Sequence, residues 1–320
     1  MPQCRMRTPP PETLYLPFEA GPYRMAMGLV TLPESAWFEL DDRYPAELDQ
    51  RRQLLADHRA EVFAALPASD AARGETLTAV IDNLTTHHPD WFSRNNDHLH
   101  NRLTGEQWNL ANPCCDPLEL AGRLVQEDLC LIQVVDAVPM FTAAVLCFPT
   151  RWRLMEKLGR PLAQVHGAVP LYADRLAAPV DRFMRYVKPG YVASRINWSV
   201  VDNAALFQPT GKWRTGHNPT VTAANAGDTL FLRVERQTLR RLPLSDAVLF
   251  GIRVHVYPLA SAIRDAATAS RLAEAVRALP EATQRYKSLL SIGDALLGWL
   301  DARCQGEAPR GEAVPAESLS

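Results

Sequence analysis

The sequence predicts an α+β protein whose centre is an antiparallel sheet, with helices inserted after its second strand. The first observation is the order of patterns between residues 128 and 258: two apolar strand-like runs, several helical stretches and three further strand-like runs. The second is that helical spacing flanks this region on both sides. With 320 residues, 47% of them hydrophobic and 22% charged, the chain can bury a core of this size.

The N-terminal region, residues 1–125, is predicted to be an arm and a helical region that pack on this core. Residues 1–24 are rich in proline and aromatic residues, which predicts an extended arm. Apolar residues at helical spacing predict one helix from about Pro45 to Leu66 and another over Ala71–Thr86. The stretch His87–Asp116 is polar and irregular, and it predicts a solvated loop.

The histidines and cysteines are candidate metal ligands. His87, His88, His98 and His100 lie in the predicted loop, but no cysteine or carboxylate at zinc-like spacing accompanies them. We therefore prefer the solvated loop to a metal site. The six cysteines form no Cys-x-x-Cys pair, which argues against an iron–sulfur cluster in this chain.

The central region, residues 126–259, is the predicted core. Its predicted strands are Asp128–Val135, Met140–Phe148, Ser194–Val201, Thr229–Leu242 and Ala247–Tyr257. Its predicted helices are Trp152–Val165, which Gly159 and Pro161 break in two, and Leu176–Val187. This order is that of a Per-Arnt-Sim (PAS) domain, in which a ligand lies between the sheet and the inserted helices. We therefore expect a PAS-like sheet with a concave, mostly apolar cofactor site.

The remaining composition excludes several classes of protein. Residues 260–304 continue the helical spacing, and the Gly-, Pro-, Glu- and Ser-rich tail 305–320 predicts disorder. Lys+Arg 34 against Asp+Glu 36 gives a net charge of −2, which argues against nucleic-acid binding. No apolar run reaches the ~18–20 residues of a membrane span. The N-terminus lacks a signal-peptide pattern, so we expect a cytoplasmic protein.

His166 ends an amphipathic helical stretch and is followed at once by the turn-forming run Gly167–Pro170. A neutral imidazole at this place is suited to bind a heme iron from one side. The alternative is a histidine that bonds the last carbonyls of a helix. Lys157 on the same stretch is suited to a heme propionate, or else belongs to a solvated basic face. His255 on the last strand is the rival ligand, with a hydrogen-bonded sheet histidine as its alternative.

Two central strands carry polar side chains at alternating positions. Alternation places Arg195 and Asn197 on one face of their strand, where they either orient cofactor and substrate or tie the sheet to the arm. Arg233 and Glu235 share a face of the next strand, and charges inside a strand are costly unless paired. Glu235 is either a candidate acceptor for a ligand in the cofactor site or one half of a buried Arg–Glu pair that fixes the sheet.

Several segments of the chain are similar to one known family. They are WFELDDRYPAELDQRRQLL (Trp37–Leu55), QEDLCLIQ (Gln126–Gln133), WRLMEKLGRPLAQVHGAVP (Trp152–Pro170), RINWS (Arg195–Ser199) and LRVERQTLRRLPLSDAVLFGIRVHVYPL (Leu232–Leu259). In these segments the chain resembles the heme-binding subunit of the heme-dependent oxidative N-demethylases. One mild departure is Ala168, where we expect members of the family often to carry proline. It leaves the histidine in place but alters the turn that orients it.

The resemblance implies a modified PAS fold that holds heme b. It also makes His166 the expected axial ligand of the iron. The site residues that we expect are His166 for the iron, Lys157, Arg195 and Asn197 for the cofactor, and Glu235 and Arg233 for catalysis.

The resemblance also implies a reaction and partner chains. Dimethylamine is oxidised with O2 and electrons from NADPH, so that one N-methyl group leaves as formaldehyde and methylamine remains. The electrons arrive through separate flavin and iron–sulfur subunits, and this chain has no Gly-x-Gly-x-x-Gly nucleotide motif of its own. Arg240 and Arg241 are candidate contacts for an acidic electron-transfer partner. The alternative function is a non-catalytic PAS-type heme or small-molecule sensor or binding protein.

Overall fold

The computed structural model of the protein describes residues 7–211 and 213–306. The first six residues of the predicted arm and nearly all of the predicted disordered tail, 305–320, lie outside the described residues. Within the described ranges the chain is an α+β protein, as predicted. No helix in these ranges is long and apolar enough to cross a membrane.

The strands form two sheets. The strands are β1 (Val30–Leu32), β2 (Phe63–Ala65), β3 (Phe92–Asn95), β4 (His98–Asn101), β5 (Gln107–Asn109), β6 (Asp128–Val135), β7 (Val138–Val145), β8 (Val192–Val201), β9 (Phe231–Arg241) and β10 (Val248–Pro258). The large sheet is antiparallel, with the order β1-β8-β9-β10-β6-β7-β2. The small sheet has the order β3-β4-β5. The five central strands of the large sheet are those that the sequence predicts.

The helices lie before, within and after the large sheet in sequence. They are α1 (Tyr44–Asp57), α2 (Arg59–Val62), α3 (Asp70–His87), α4 (Pro117–Gly122), α5 (Leu162–Val165), α6 (Tyr172–Arg175), α7 (Ala177–Tyr186), α8 (Ala226–Thr229), α9 (Leu259–Ala262), α10 (Ala266–Ala278), α11 (Glu281–Tyr286) and α12 (Gly293–Cys304). The predicted insertion of helices between the second and third core strands is confirmed, and α7 matches the predicted helix Leu176–Val187. The predicted helix Trp152–Val165 is largely wrong: only a 3-10 turn at Leu154–Glu156 and the single turn α5 form, because Gly159 (φ 75°) and Pro161 interrupt the helix between them.

The predicted hairpin of β6 and β7 is also confirmed. Asp136 and Ala137 form its two-residue turn, with φ of 48° and 64°. Turns with positive φ at both central residues match the right-handed twist of the strands that they join. The hairpin therefore sets the register of the strand pair from which the inserted helices depart.

The predicted helix from Pro45 to Leu66 is confirmed up to Val62, with an interruption at His58, and is wrong from Phe63 onward. α1 ends at Asp57, α2 adds a single turn, and the next residues form β2, in which Phe63 lies opposite Val145 of β7. The edge of β7 offers unpaired backbone groups, and pairing with them outweighs the local helical spacing.

The prediction of a solvated loop over His87–Asp116 is wrong. β3, β4 and β5 form the small sheet here, with Leu99 and Trp108 buried in register opposite each other. His98 and His100 flank Leu99 on the other face of β4, so the alternation has the period of a strand. The polar outward residues concealed this pattern in the sequence.

The two faces of the large sheet are covered by different parts of the chain. Asn197 lies opposite Glu235, and Arg195 lies opposite Gln237, so these four side chains share one face, as alternation predicts. We call this side, which α5–α7 cover, the cavity face. On the opposite face, residues such as Leu232 pack in an apolar cluster with the C-terminal helices.

The N-terminal arm crosses the opposite face and is held there by His255. The imidazole is 1% exposed. Its Nδ1 lies 2.9 Å from Oε1 of Glu12 on the arm, and its Nε2 lies 3.2 Å from Oε2 of Glu39. We call Glu12, Glu39 and His255 the arm latch. The hydroxyl of Tyr257 adds a hydrogen bond to the arm carbonyl of Thr13.

The arm latch is an ion pair with a pH window. Burial opposes a charged imidazole, but the hydrogen bonds to Glu12 and Glu39 outweigh it and raise the pKa of His255 above its ordinary 6.5. Burial likewise opposes the Glu39 carboxylate, but the bond from His255 and the charge of Arg236 lower the pKa of Glu39 below 4.5. Because the pKa of His255 is raised, its contribution to stability is complete below pH 6.5 and is lost as the pH rises through the raised pKa. Because the pKa of Glu39 is lowered, its contribution is complete above pH 4.5 and is lost as the pH falls through the lowered pKa. The latch is therefore strongest between these two values.

Replacing His255 with glutamine is expected to lower the free energy of unfolding by about 1.5–3 kcal/mol at about pH 6, the range for hydrogen bonds to charged groups. The deficit shrinks at alkaline pH, above the raised pKa of His255, because the wild-type imidazole loses its proton there and its stabilising contribution with it. Urea unfolding across this pH range measures both values. His58→Gln, in an exposed pair with Glu61, is the control and should change stability little at either pH. A His255→Gln deficit that stays constant with pH contradicts the latch.

Candidate functional site

A cavity of about 750 Å³ lies between the cavity face of the large sheet and the inserted helices. Arm residues 17–27 and parts of α10 and α11 complete its wall. The volume falls within the range of about 300–1,000 Å³ that small-molecule and cofactor sites occupy. The space lies where the order of the elements led us to expect a ligand.

The part of the cavity under α5 and α7 is apolar. Ile132, Leu239 and Phe250 supply the sheet side of this wall. Leu162 and Met184 supply the helical side. Walls of this kind favour a large hydrophobic ligand, because each Å² of apolar surface removed from water contributes roughly 25 cal/mol.

His166 lines the cavity directly after the end of α5. Its Nδ1 lies 3.0 Å from the carbonyl oxygen of Leu162, and its ring stacks on Tyr172 at a centroid distance of 4.6 Å and an angle of 16°. Since a carbonyl only accepts, Nδ1 carries the proton and the lone pair of the neutral ring lies on Nε2. The carbonyl bond of the capping alternative is therefore present, and it is also the bond that orients metal-binding histidines.

Three polar atoms of residues that line the cavity lack hydrogen-bond partners among the described residues. They are the buried hydroxyl oxygens of Tyr172 and Thr283 and the buried Nε of Arg195. Burial raises the pKa of Tyr172 to about 12, so the hydroxyl keeps its proton, and burial lowers the pKa of Arg195. Buried donors without partners are costly, and a bound group with acceptor oxygens would satisfy them.

Glu235 is the acidic centre of the polar part of the cavity. It accepts hydrogen bonds from the hydroxyl of Thr150, from Nδ2 of Asn197 at 3.3 Å and from Nε2 of Gln237 at 2.9 Å. Burial alone would raise the pKa of Glu235, but these bonds and the charge of Arg233 outweigh it and lower the pKa below the ordinary 4.5. The carboxylate therefore stays ionised at neutral pH, which suits it to accept an ammonium group.

Arg233, an expected catalytic residue, does not reach the cavity wall. It is 1% exposed, and its guanidinium donates to Oγ1 of Thr150 at 3.0 Å and to carbonyls of Phe148, Ala205 and Leu206 at 3.0 Å each. These bonds fix the two segments that follow β7 and β8. Arg233 therefore acts on Glu235 through Thr150 and through its charge, as a positioning residue.

Lys157 and Lys287 place two ammonium groups at the cavity. Lys157 lies 3.9 Å from the centre of the Trp152 ring. Lys287, which the sequence did not single out, donates from Nζ to the carbonyl of Trp198 and to Oδ1 of Asn197 at 3.3 Å. Burial lowers the pKa of Lys287 to about 8, although the charge of Glu235 opposes this shift. No local pattern marks Lys287, because only the tertiary fold brings it to the part of β8 that lies beyond the pairing with β1.

The rival histidine, His255, lies on the opposite face of the sheet and outside the cavity wall. Both of its ring nitrogens bond carboxylates in the arm latch. In the described part of the chain, one group of three potential metal ligands is close enough to share an ion: Glu12, Asp41 and His255. Asp41 is already paired with Arg253 at 2.7 Å, which disfavours a cation there. The four histidines of the small-sheet region are not in that group.

A family model described as "Haem-dependent oxidative N-demethylase, alpha subunit-like" matches residues 28–297 of this chain. The match covers well over half of the sequence and includes every strand of the large sheet. The family name indicates heme-dependent oxidative N-demethylase activity, and the words "alpha subunit" imply an assembly with other chains. The resemblance seen in the sequence is thereby confirmed, and the protein belongs to the family of heme-dependent oxidative N-demethylase α-subunit-like proteins.

Proposed function

We propose that this chain is the heme b-binding subunit of a monooxygenase that removes an N-methyl group from a small alkylamine such as dimethylamine. The observation that carries the proposal is that one cavity contains both a candidate iron ligand and a carboxylate that can bind an amine. An oriented imidazole, His166, lies at the apolar end, and an ionised carboxylate, Glu235, lies at the polar end.

The residues of the cavity fit heme. His166 presents Nε2 as the lone-pair nitrogen, which is the ligand that heme iron needs. The apolar walls suit the porphyrin faces. Arg195 and Lys157 are placed for the propionate carboxylates, and the unpartnered Nε of Arg195 would gain an acceptor from such a carboxylate. The strand order β8-β9-β10-β6-β7, with helices inserted after β7, supports a PAS-like arrangement for this core.

Glu235 gives the cavity its preference for an amine. A secondary alkylamine is protonated at neutral pH, and its two N–H groups need acceptors when water is excluded. The Glu235 carboxylate offers both charge and acceptor oxygens, and Asn197 and Gln237 hold it in place. Burial strengthens this ion pair relative to the same pair in water.

The overall reaction is balanced by one O2, two electrons and two protons. One oxygen atom is inserted at the N-methyl carbon, whose C–N bond then breaks to release formaldehyde and the smaller amine, and the other atom leaves as water. Bound heme supplies the oxygen-activating chemistry. The chain positions the amine at Glu235 and excludes water. Lys287, whose pKa is lowered to about 8 by burial, is able to hold or release a proton at Nζ beside Asn197.

The electrons must come from other chains. No Gly-x-Gly-x-x-Gly motif is present in this sequence, and the α-subunit family name implies companion subunits. We propose that NADPH delivers electrons through flavin and iron–sulfur subunits, and that this chain contributes the heme, the amine site and the O2 site.

The direct test supplies the heme-loaded full chain with dimethylamine, O2 and a photochemical one-electron reductant. Formaldehyde and methylamine should form in equal amounts, because each C–N cleavage yields one of each. Chromatography of both products over time measures the ratio. A heme-loaded protein that consumes no amine would instead support the alternative, a non-catalytic PAS-type sensor or binding protein.

Glu235→Gln keeps the shape of the side chain and removes its charge. The change is expected to lower kcat/KM for the amine by about 10- to 100-fold, mainly through KM, because a hydrogen bond to a charged group contributes roughly 1.5–3 kcal/mol. The Soret spectrum should stay as in the wild type, since Glu235 lies at the polar end of the cavity. Glu61→Gln, an exposed control, should leave kcat/KM unchanged. Equal kinetics for Glu235→Gln and wild type contradict this role.

A further inference from the structure

The segment that covers the cavity, residues 153–191, which we call the roof segment, has a basic outer surface. Its exposed basic residues are Arg153, Arg160, Arg175, Arg182, Arg185 and Lys188. Its exposed acidic residues are Glu156 and Asp174. Within the ranges that the structure describes, none of the six cations forms an ion pair, whereas many arginines elsewhere are paired. The whole chain has a net charge of −2, so this surface is positively charged although the chain as a whole is negatively charged.

The geometry of α7 separates the two faces of the roof segment. Val180 and Met184 line the cavity, while Arg182 and Arg185 are exposed on the other side of the helix. Arg241 fixes the end of this helix, because its guanidinium donates to the carbonyls of Met184 and Val187. A helix is about 10–12 Å across with its side chains, so a single layer separates the basic surface from the cavity.

Exposed apolar side chains accompany these cations. Tyr186 is 70% exposed, Tyr191 56% and Leu171 45%. Protein–protein interfaces are enriched in tyrosine and arginine relative to the remaining surface. Tyr186 and Arg185 are adjacent, with the guanidinium carbon 5.8 Å from the ring centre.

The other basic candidate, Arg240–Arg241, is not available as a docking site. Arg240 pairs with Glu34 at 3.0 Å and lies 4.4 Å from the centre of the Trp37 ring. Arg241 is 3% exposed, and its guanidinium donates a hydrogen bond to the carbonyl of Met184 at the end of α7. The expectation that this pair contacts an acidic partner is therefore wrong, because burial and internal partners occupy both side chains.

We propose that the basic surface of the roof segment is the docking site for an acidic protein that carries single electrons. The inference rests on the proposed function, because electrons need an acceptor in the cavity beneath. Charge complementarity identifies the partner: unpaired cations steer an acidic surface into contact and raise the association rate. Docking here places the carrier on the outer side of a segment whose inner side lines the cavity.

The test measures binding of two acidic probes, a plant-type [2Fe–2S] ferredoxin and a flavodoxin, to the full-length protein by fluorescence anisotropy. Wild-type protein should bind at least one probe, more weakly as salt rises. The double variant Arg182→Glu/Arg185→Glu should weaken binding by at least about tenfold, the size of effect expected for reversing interfacial charges. The control, Arg94→Glu/Arg264→Glu, reverses two exposed arginines outside the roof segment and should leave binding within about twofold of wild type.

Three results overturn the docking site: neither probe binds the wild type, both double variants lose binding equally, or anionic lipid vesicles bind the roof segment and the proteins do not. Failure of the proposed function is seen separately. The anisotropy assay does not need heme, whereas a missing Soret band or absent amine turnover concerns the cavity alone. In the heme-loaded protein, reduction by the pre-reduced ferredoxin should slow in parallel with the loss of binding.

Discussion

The structure depends on keeping one carboxylate, Glu235, ionised within the central sheet. Burial disfavours that charge, and hydrogen bonds from Thr150, Asn197 and Gln237 stabilise it. Arg233 adds its positive charge and donates a hydrogen bond to Thr150. The guanidinium of Arg233 also donates hydrogen bonds to backbone carbonyls of the segments that follow β7 and β8. The bonds that stabilise the charge therefore also fix the backbone that borders the cavity.

The opposite face of the sheet also carries buried charged groups, and there an imidazole between two carboxylates stabilises them. His255 joins the arm to Glu39, and residues further along that arm line the cavity. Charges on the two faces of β9 and β10 thus connect the N-terminal arm, the sheet and the cavity wall. Because buried charges without partners are costly, loss of one member should disturb both faces more than a surface change would.

Apolar strand-like runs and the turn signals between them were sufficient to predict the five core strands, and helical spacing predicted that helices lie between the second and third of them. Alternation placed Arg195 with Asn197 on one face of β8 and Arg233 with Glu235 on one face of β9, and the register of the two strands shows that these faces coincide. The helical end at His166 was visible in the sequence. β2 was not predicted, because it forms by pairing with the edge of β7, which leaves little signal in its own sequence. The small sheet was not predicted, because the polar residues that alternate with its buried ones conceal the strand pattern. The contributions of Lys287 and Tyr172, and the burial of Arg233, arise from contacts between distant segments that no local spacing encodes.

The visible spectrum of the heme-reconstituted protein, beside His166→Ala and His255→Ala, tests the central claim most directly. The account predicts a Soret band in the wild type that His166→Ala loses or shifts and that added imidazole restores, because imidazole replaces the missing ligand. His255→Ala should keep the wild-type band. A wild type that stays colourless, or a His166→Ala band identical to the wild type, would contradict the account.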